Sequence, residues 1–250
     1  MCGIAGWFSA KPLENDTDSR LKTMTDTLSH RGPDGSGYWH DNYCALGHRR
    51  LSIIDLDSGQ QPMHSHDKRL YISFNGEIYN YRDIRANLSD YPFHNHSDTE
   101  TILALYQKYG VEGFTQLRGM FAFALWDTSN NIGYLVRDPL GIKPLFVHQK
   151  EFELSFASEA KALIKNSGSE LDISALHLLM NFRYLPGTNT LFKGITQLSP
   201  GHVLKFSSIV SVQIVSTVVV GNIQILVAVV VIVFPLRSQT ESPIILIQAD

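Results

Sequence analysis

The sequence predicts an α+β protein in which two antiparallel β-sheets stack face to face and helices cover their outer sides. Between residues 120 and 157, four apolar segments are separated only by short turns, and such short connections join antiparallel strands. The run Phe121-Ala122-Phe123-Ala124-Leu125-Trp126 is apolar at every position, which indicates a strand buried on both faces. Such a sheet needs a second sheet against one face and amphipathic helices against the other.

Apolar runs bounded by polar, glycine-rich or proline-rich segments predict the strands. The first of them, at the very start of the chain, is buried on at least one face by Ile4, Trp7 and Phe8. The predicted strands span residues 3–8, 38–40, 43–49, 70–74, 120–126, 132–137, 145–148 and 152–157.

Apolar residues at helical spacing, together with capping residues, predict the helices. Asp18 and Ser19 can cap the first helix, and Ser158 can cap a short one late in the chain. The segment Ser97-Asp98-Thr99-Glu100 has the form of a capping box, and its helix should end at Gly110. The predicted helices run through residues 21–28, 84–88, 97–109, 158–163 and 173–182.

Composition excludes several classes of protein. The chain has 250 residues and a formal net charge of -3, which gives no reason to expect a nucleic-acid partner. Its two cysteines, Cys2 and Cys44, form no disulfide framework, and nothing before Trp7 resembles a signal peptide. We therefore expect a cytoplasmic protein.

The first candidate for chemistry is Cys2. If Met1 is removed, Cys2 carries both a thiol nucleophile and a free α-amine that can accept and return a proton. The pKa values of a thiol, about 8.5, and of an α-amine, about 8, are close enough for this exchange near neutral pH. Gly3, Ala5 and Gly6 would allow close backbone approach around the reactive chain end.

Polar residues at the ends of predicted elements are further candidates. Arg50 stands beside an apolar run, where it is either a solvated edge residue or a two-point grip for a carboxylate. Asn75-Gly76 is either a hairpin turn or a pair of oxyanion donors, and no matching strand follows it. Asp98 is favoured by the helix dipole and could also pair with a ligand ammonium.

With these residues in place, the chain resembles the glutaminase domain of the class II, N-terminal nucleophile (Ntn) glutamine amidotransferases, from Cys2 to about Phe206. Later motifs are similar to those of the glutamine-hydrolysing asparagine synthetases and their amidotransferase relatives. These motifs are Arg137-Asp138-Pro139-Leu140-Gly141-Ile142-Lys143-Pro144-Leu145, Phe156-Ala157-Ser158-Glu159-Ala160-Lys161-Ala162-Leu163, Leu185-Pro186-Gly187-Thr188, Leu191-Phe192-Lys193-Gly194-Ile195 and Leu198-Ser199-Pro200-Gly201-His202.

The resemblance implies a four-layer αββα sandwich of the Ntn hydrolase type, glutamine as substrate, and the role of each site residue. Cys2 would attack the side-chain amide, while the Asn75 side chain and the Gly76 N–H would hold the oxyanion. Arg50 would bind the substrate carboxylate, and Asp98, helped by Glu77, its ammonium. The backbone of Leu51, Ser52, Ile53 and Ile54 would line the pocket. No metal is expected.

The resemblance also suggests a division of the chain. Residues 2–187 would form the glutaminase domain and 188–206 a linker or the start of a truncated synthetase domain, with 207–250 an unassigned apolar tail. ATP and Mg²⁺ would belong to the absent synthetase domain, so that the synthetase step is not expected from this chain alone. A homodimer is compatible with the resemblance. The alternatives are a non-catalytic truncated remnant and an amidotransferase relative with another ammonia acceptor.

The apolar tail has three competing explanations. Residues 209–234 are long enough to cross a hydrocarbon layer as a helix, although the segment contains Gln213, Asn222 and Gln224 and lacks a flanking basic cluster. They could instead be strands that complete a core. The abrupt loss of charge and of family resemblance near Phe206 favours a third explanation, out-of-frame translation or a misplaced gene end, and makes a membrane partner the less favoured expectation.

Overall fold

The computed structural model describes residues 1–52 and 59–207 with their side chains, and the backbone of three further strands up to residue 248. All strand pairs are antiparallel. The strands are β1 Gly3–Ser9, β2 Gly35–His40, β3 Cys44–Arg50, β4 Met63–His64, β5 Leu70–Ile78, β6 Gly119–Asp127, β7 Ile132–Arg137, β8 Phe146–Lys150, β9 Glu153–Ala157, β10 Ile195–Gln197, β11 Val203–Ser207, β12 Gln213–Val220, β13 Ile223–Val233 and β14 Ile244–Gln248.

The strands form two sheets. Sheet A has the order β10-β8-β9-β1-β3-β2, and sheet B has the order β14-β13-β12-β11-β7-β6-β5-β4. The helices are α1 Thr17–Asp26, α2 Tyr81–Ala86, α3 Asp98–Tyr109, α4 Lys161–Ser167 and α5 Ile173–Phe182, and a 3-10 helix spans Gly110–Gln116.

Three buried clusters show how these elements stack. Alternate residues of β1 point to opposite faces, so that Ile4 and Phe8 pack with Trp126 between the sheets, whereas Trp7 packs against α1 at Leu21. A third cluster joins the other face of sheet B to α2 and α3. The order helix, sheet, sheet, helix is the four-layer αββα sandwich that the sequence predicted.

Two local predictions were wrong in detail. Ser158 does not cap a helix, because α4 begins only at Lys161; its Oγ instead accepts a hydrogen bond from the Ile4 N–H at 3.0 Å. The first helix begins at Thr17, one turn before the predicted start, without a side-chain cap.

The chain after residue 187 contributes to both sheets. β10 pairs with β8 in sheet A, and β11 pairs with β7 in sheet B. The described part of the apolar tail forms β12, β13 and β14, which extend sheet B. Within the described residues, no helix has the length and apolar character to cross a membrane. The domain boundaries and the three explanations for the tail stay predictions.

Candidate active site

Strand direction brings the candidate residues to one end of the sandwich. Cys2 immediately precedes β1, and Gly3 of that strand is paired with Arg49 of β3. The start of β1 therefore lies beside the end of β3, where Arg50 is located. In sheet B, β5 carries Asn75, Gly76 and Glu77 near its end.

Direct hydrogen bonds across the interlayer connect β3 with β5. The Ser73 hydroxyl donates to the Gly47 carbonyl oxygen at 3.0 Å, and His48 Nε2 lies 3.1 Å from the Phe74 carbonyl oxygen. His48 is fully buried, and this burial lowers its pKa to about 4. The ring is therefore neutral at pH 7, with its proton on Nε2 where the carbonyl can accept it. These bonds fix the end of β3 relative to the end of β5.

The surroundings of the Cys2 thiol are formed by backbone groups. The Leu51 N–H donates to Cys2 Sγ at 3.3 Å, and the Leu51 carbonyl oxygen lies 3.6 Å from the same sulfur. Arg31 Nε donates to the Cys2 carbonyl oxygen at 3.0 Å, and Arg31 is itself paired with Glu159 at 3.0 Å. Cys2 is thus held by contacts to both its side chain and its main chain.

Asn75 presents an unused hydrogen-bond donor. Its side chain is only 1% exposed, and its Nδ2 is buried without a hydrogen-bond partner. A buried amide left unpaired costs roughly 1–3 kcal/mol. An anion that forms in the cleft during a reaction would recover that energy.

The neighbours of Gly76 show where its N–H points. Backbone N–H groups alternate between the two edges of a strand. The Phe74 N–H donates to Gln61 Oε1 at 2.6 Å, and the Ile78 N–H donates to Asp98 Oδ2 at 2.9 Å. Gly76 lies midway between them, so its N–H points to the same edge, away from β6 and towards the cleft.

Glycine at position 76 has a steric reason that the sequence alone did not reveal. A Cβ there would lie 2.2 Å from the Met120 carbonyl oxygen and 2.7 Å from Phe121 Cα. These backbone atoms belong to β6, the paired strand. The close approach of two strands therefore requires glycine, whereas the sequence had placed Asn75-Gly76 after the end of the strand rather than inside it.

Asp98 is a buried carboxylate at the first position of α3. It is 5% exposed, and burial raises its pKa to about 6, although three backbone N–H groups act in the opposite direction. The charge of nearby Glu77 also raises this pKa. Asp98 is therefore mostly ionised at pH 7. No positively charged side chain is among the groups that shift its pKa. The N-cap prediction at Ser97 is confirmed, because its hydroxyl accepts the Glu100 N–H at 3.4 Å. The reciprocal half of the predicted capping box is wrong, because the Ser97 N–H donates to Asn95 Oδ1 and the Glu100 carboxylate accepts the N–H groups of His94 and Asn95.

One cleft contains most of the predicted site residues. It is lined by Met1, Cys2, Arg50, Leu51, Gly59, Gln61, Phe74, Asn75, Gly76, Glu77, Ser97, Asp98, Thr99, Met120 and Lys143. Ser52 does not line it; its N–H donates to Asp34 Oδ2 at 2.8 Å. Ile53 and Ile54 lie outside the described residues. Among the described residues, no group of three or more metal-binding side chains is placed to hold a metal ion.

Several lining residues, Gln61 and Lys143 among them, could not be predicted from the sequence. Gln61 lies in a polar loop, yet its side-chain oxygen accepts a hydrogen bond from the Phe74 N–H. Lys143 belongs to a motif used only to establish the resemblance, and nothing in that motif indicates a buried lysine. Both come from loops, where hydrophobic periodicity is uninformative.

Comparison with known proteins decides the family. The sequence profile described as "Glutamine amidotransferase domain" matches residues 1–213. The chain belongs to the glutamine amidotransferase domain family. Its relatives include asparagine synthetase [glutamine-hydrolyzing] 1 of Bacillus subtilis, 42% identical over 206 residues, and asparagine synthetase B [glutamine-hydrolyzing] of Escherichia coli, 42% identical over 166 residues. The resemblance predicted from the motifs is confirmed.

These relatives are much longer than the region matched. The aligned region covers 80% of this chain but 33% of the B. subtilis relative, and 66% of this chain but 30% of the E. coli relative. Among solved structures, glutamine phosphoribosylpyrophosphate amidotransferase from B. subtilis superposes with a TM-score of 0.61 at 17% identity, over 85% of this chain and 48% of that one. That likeness confirms the Ntn-type fold of this family member.

Proposed function

We propose that this amidotransferase domain hydrolyses glutamine to glutamate and ammonia through a thioester on Cys2. The observation that supports it best is the unpaired, buried Asn75 amide in the same cleft as a thiol. Such a donor stabilises an oxyanion more than a neutral carbonyl, and this difference lowers a reaction barrier.

The first half of the reaction acylates the thiol. The Cys2 sulfur bonds to the side-chain carbonyl carbon, its proton passes to the α-amine freed by removal of Met1, and the carbonyl electrons move to oxygen. Asn75 Nδ2 and the Gly76 N–H hold that oxyanion. The C–N bond then breaks, the α-ammonium returns its proton to the leaving nitrogen, and ammonia departs.

The second half releases glutamate. The α-amine takes a proton from water, whose oxygen attacks the thioester carbon and forms a second oxyanion at the same donors. The C–S bond breaks, and the sulfur leaves as a thiolate that regains a proton. The Leu51 peptide suits both forms of sulfur, because its N–H can donate to a thiolate and its carbonyl can accept from a thiol.

Recognition of the free amino acid uses both of its charges. Arg50 binds the α-carboxylate with its planar fork, and Asp98, assisted by Glu77, binds the α-ammonium. Peptides and simple amides lack one or both charges and would leave a buried partner unpaired, which is costly.

The wider role is also a proposal. The ammonia would serve amide synthesis as in the asparagine synthetases that the chain is similar to, with ATP and Mg²⁺ bound outside residues 2–187. We place the reaction in the cytoplasm, and we treat residues 188–206 as the approach to a synthetase domain. A homodimer is compatible with this scheme.

The test combines mass spectrometry with a glutaminase assay. The intact mass of the purified protein should lack Met1, and glutamine should give equal amounts of glutamate and ammonia without ATP. Cys2→Ala should abolish this activity. Cys44→Ala is the matched control, because Cys44 is fully buried and away from the cleft, and it should retain activity. Undiminished hydrolysis by Cys2→Ala would refute the proposed nucleophile.

A further inference from the structure

A buried lysine lines the candidate active site. Lys143 is only 6% exposed, and it shares the cleft with Cys2, Asn75 and Gly76. Within the part of the chain that the structure describes, its Nζ makes neither a hydrogen bond nor an ion pair. Nζ is not among the fully buried polar atoms, so the ammonium keeps some exposure while the rest of the residue is buried. A charge in this position is available to a group that enters the cleft.

The loop that carries Lys143 is held by two buried charged side chains. Asp138 is fully buried, and its Oδ2 accepts the Lys143 N–H at 3.0 Å. Arg137 Nε donates to the Lys143 carbonyl oxygen at 2.8 Å. The same carboxylate also accepts the N–H groups of Phe121, Leu140 and Ile142. Both peptide groups of Lys143 are therefore fixed, and its Cα has a defined place in the cleft wall.

The balance of charge in the cleft shows what this ammonium can do. The charged side chains that line the cleft are Arg50, Glu77, Asp98 and Lys143. Glutamine enters as a zwitterion, and in the proposed binding mode its carboxylate engages Arg50 while its ammonium engages the two acids. Among the charged side chains described at the cleft, Lys143 is then the cation that pairs with no charge of the substrate.

We propose that Lys143 supplies the positive charge that stabilises the anionic states of the reaction centre, namely the Cys2 thiolate and the oxyanion on the glutamine side chain. This inference rests on the proposed glutaminase function. Both anions are absent from the ground state, so a fixed cation stabilises them without tightening substrate binding. Without Lys143, the cleft would hold two carboxylates and a developing anion against the Arg50 guanidinium and the α-ammonium of Cys2, which must give up its proton to the leaving nitrogen.

The first experiment tests the thiolate without using glutamine. The rate of alkylation of Cys2 by iodoacetamide is measured against pH. Cys44 should not react, because burial shields its thiol from the reagent and raises the pKa of that thiol well above the usual value. In K143M and K143Q, the pH of half-maximal rate should rise by about one unit, the effect of roughly 1.4 kcal/mol of lost charge stabilisation. K143R should match the wild type, and so should the matched control K193M, which replaces an exposed lysine.

The second experiment measures turnover. K143M should lower kcat by about 10- to 100-fold, as expected for one charge lost from a site of intermediate dielectric, with KM changed by less than about 2-fold. K143R should restore most of the loss. An unchanged alkylation profile in both neutral variants overturns the proposal, and so does a K143R as impaired as K143M. If the wild type does not hydrolyse glutamine, the proposed function fails, while the alkylation profiles still decide the effect of Lys143 on the thiolate.

Discussion

The Leu51 N–H donates to Cys2 Sγ at 3.3 Å, and the carbonyl oxygen of the same residue lies 3.6 Å from that sulfur. One residue thus offers a donor to the thiolate and an acceptor to the thiol. Because both groups belong to the main chain, the Leu51 side chain has no part in this contact. The surroundings of the Cys2 thiol therefore depend on where β3 ends, because that end places Leu51 beside the start of the chain.

Removal of the Asn75 amide should lower turnover much more than affinity. Asn75→Ala is expected to reduce kcat by about 100- to 1000-fold, because the donor acts on the oxyanion rather than on the neutral amide. Steady-state kinetics with glutamine give both constants. Asn80→Ala is a suitable control, since Asn80 lies beyond the end of β5. A variant with raised KM and normal kcat would contradict an oxyanion role.

Arg50→Lys should weaken glutamine binding although it keeps the positive charge. Lysine cannot reproduce a two-point hydrogen-bonded grip on a carboxylate, so KM should rise about 10-fold or more while kcat at saturation changes less. Arg118→Lys, which alters an arginine outside the cleft, is the matched control. An unaltered KM in Arg50→Lys would return Arg50 to the role of a solvated edge residue.

Glutamine binding should weaken as the pH falls through about 6. Burial raises the pKa of Asp98 to about 6, and the protonated acid cannot pair with the substrate ammonium. KM should therefore rise about 10-fold for each pH unit below that value, and kcat/KM should fall with it. Asp98→Asn should have a high KM that no longer varies in this range. A wild-type KM that is constant from pH 7 to pH 5 would contradict the assignment.

His48 and Asp98 should have opposite effects on stability in acid. The folded-state pKa of His48 is depressed from 6.5 to about 4, so the stabilising contribution of the neutral ring is present above pH 6.5 and is lost as the pH falls towards 4. This loss is about 3 kcal/mol. The raised pKa of Asp98 gives the reverse: its contribution is present below the ordinary value of 3.8 and is lost as the pH rises through about 6.

The two effects should largely cancel between pH 6.5 and 4, and substitution should separate them. Urea unfolding at pH 7 and pH 4.5 should show that Asp98→Asn loses about 2–3 kcal/mol more than the wild type on acidification. His48→Gln should lose less than the wild type. His40→Gln, an exposed histidine, is the control. If all four proteins lose stability in parallel, neither group titrates as described.

The sequence was most informative at positions where the residue type is explained by a single local structural role, such as capping a helix or filling a core. The layers followed from the continuous apolar run of β6, since alternate residues there had to be buried against a sheet and a helix. Gly110 and Ser97 were correctly predicted as the ends of α3 because capping chemistry is local. Ser158 has the same local signal, but its hydroxyl is used by Ile4, a partner 154 residues away that local patterns do not reveal.

The site was only partly predictable for the same reason. Cys2, Arg50, Asn75 and Asp98 were found through chemistry and resemblance, and the structure places all four in one cleft. The steric need for glycine at position 76 depends on the distance between β5 and β6. The burial of Lys143 depends on how Arg137 and Asp138 fold their loop. Both are properties of tertiary packing, which periodicity and propensity do not encode.

The hydrogen bonds from Ser73 to Gly47 and from His48 to the Phe74 carbonyl, together with strand pairing, restrict the length of substrate that the proposed site can accept. They fix the strand that carries Arg50 relative to the strand that carries Asn75, and the pairing of Gly3 with Arg49 fixes Arg50 relative to Cys2. In the proposed binding mode, the span from the guanidinium to the sulfur is therefore set by the pairing of β1 with β3. Asparagine, one methylene shorter than glutamine, would be anchored with its amide carbon more than about 1 Å short of the sulfur, a displacement that can cost about 100-fold in rate. Analogues of glutamine with one additional methylene would place the amide carbon beyond the sulfur. A domain of this kind could therefore release ammonia from glutamine without consuming free asparagine in the same solution.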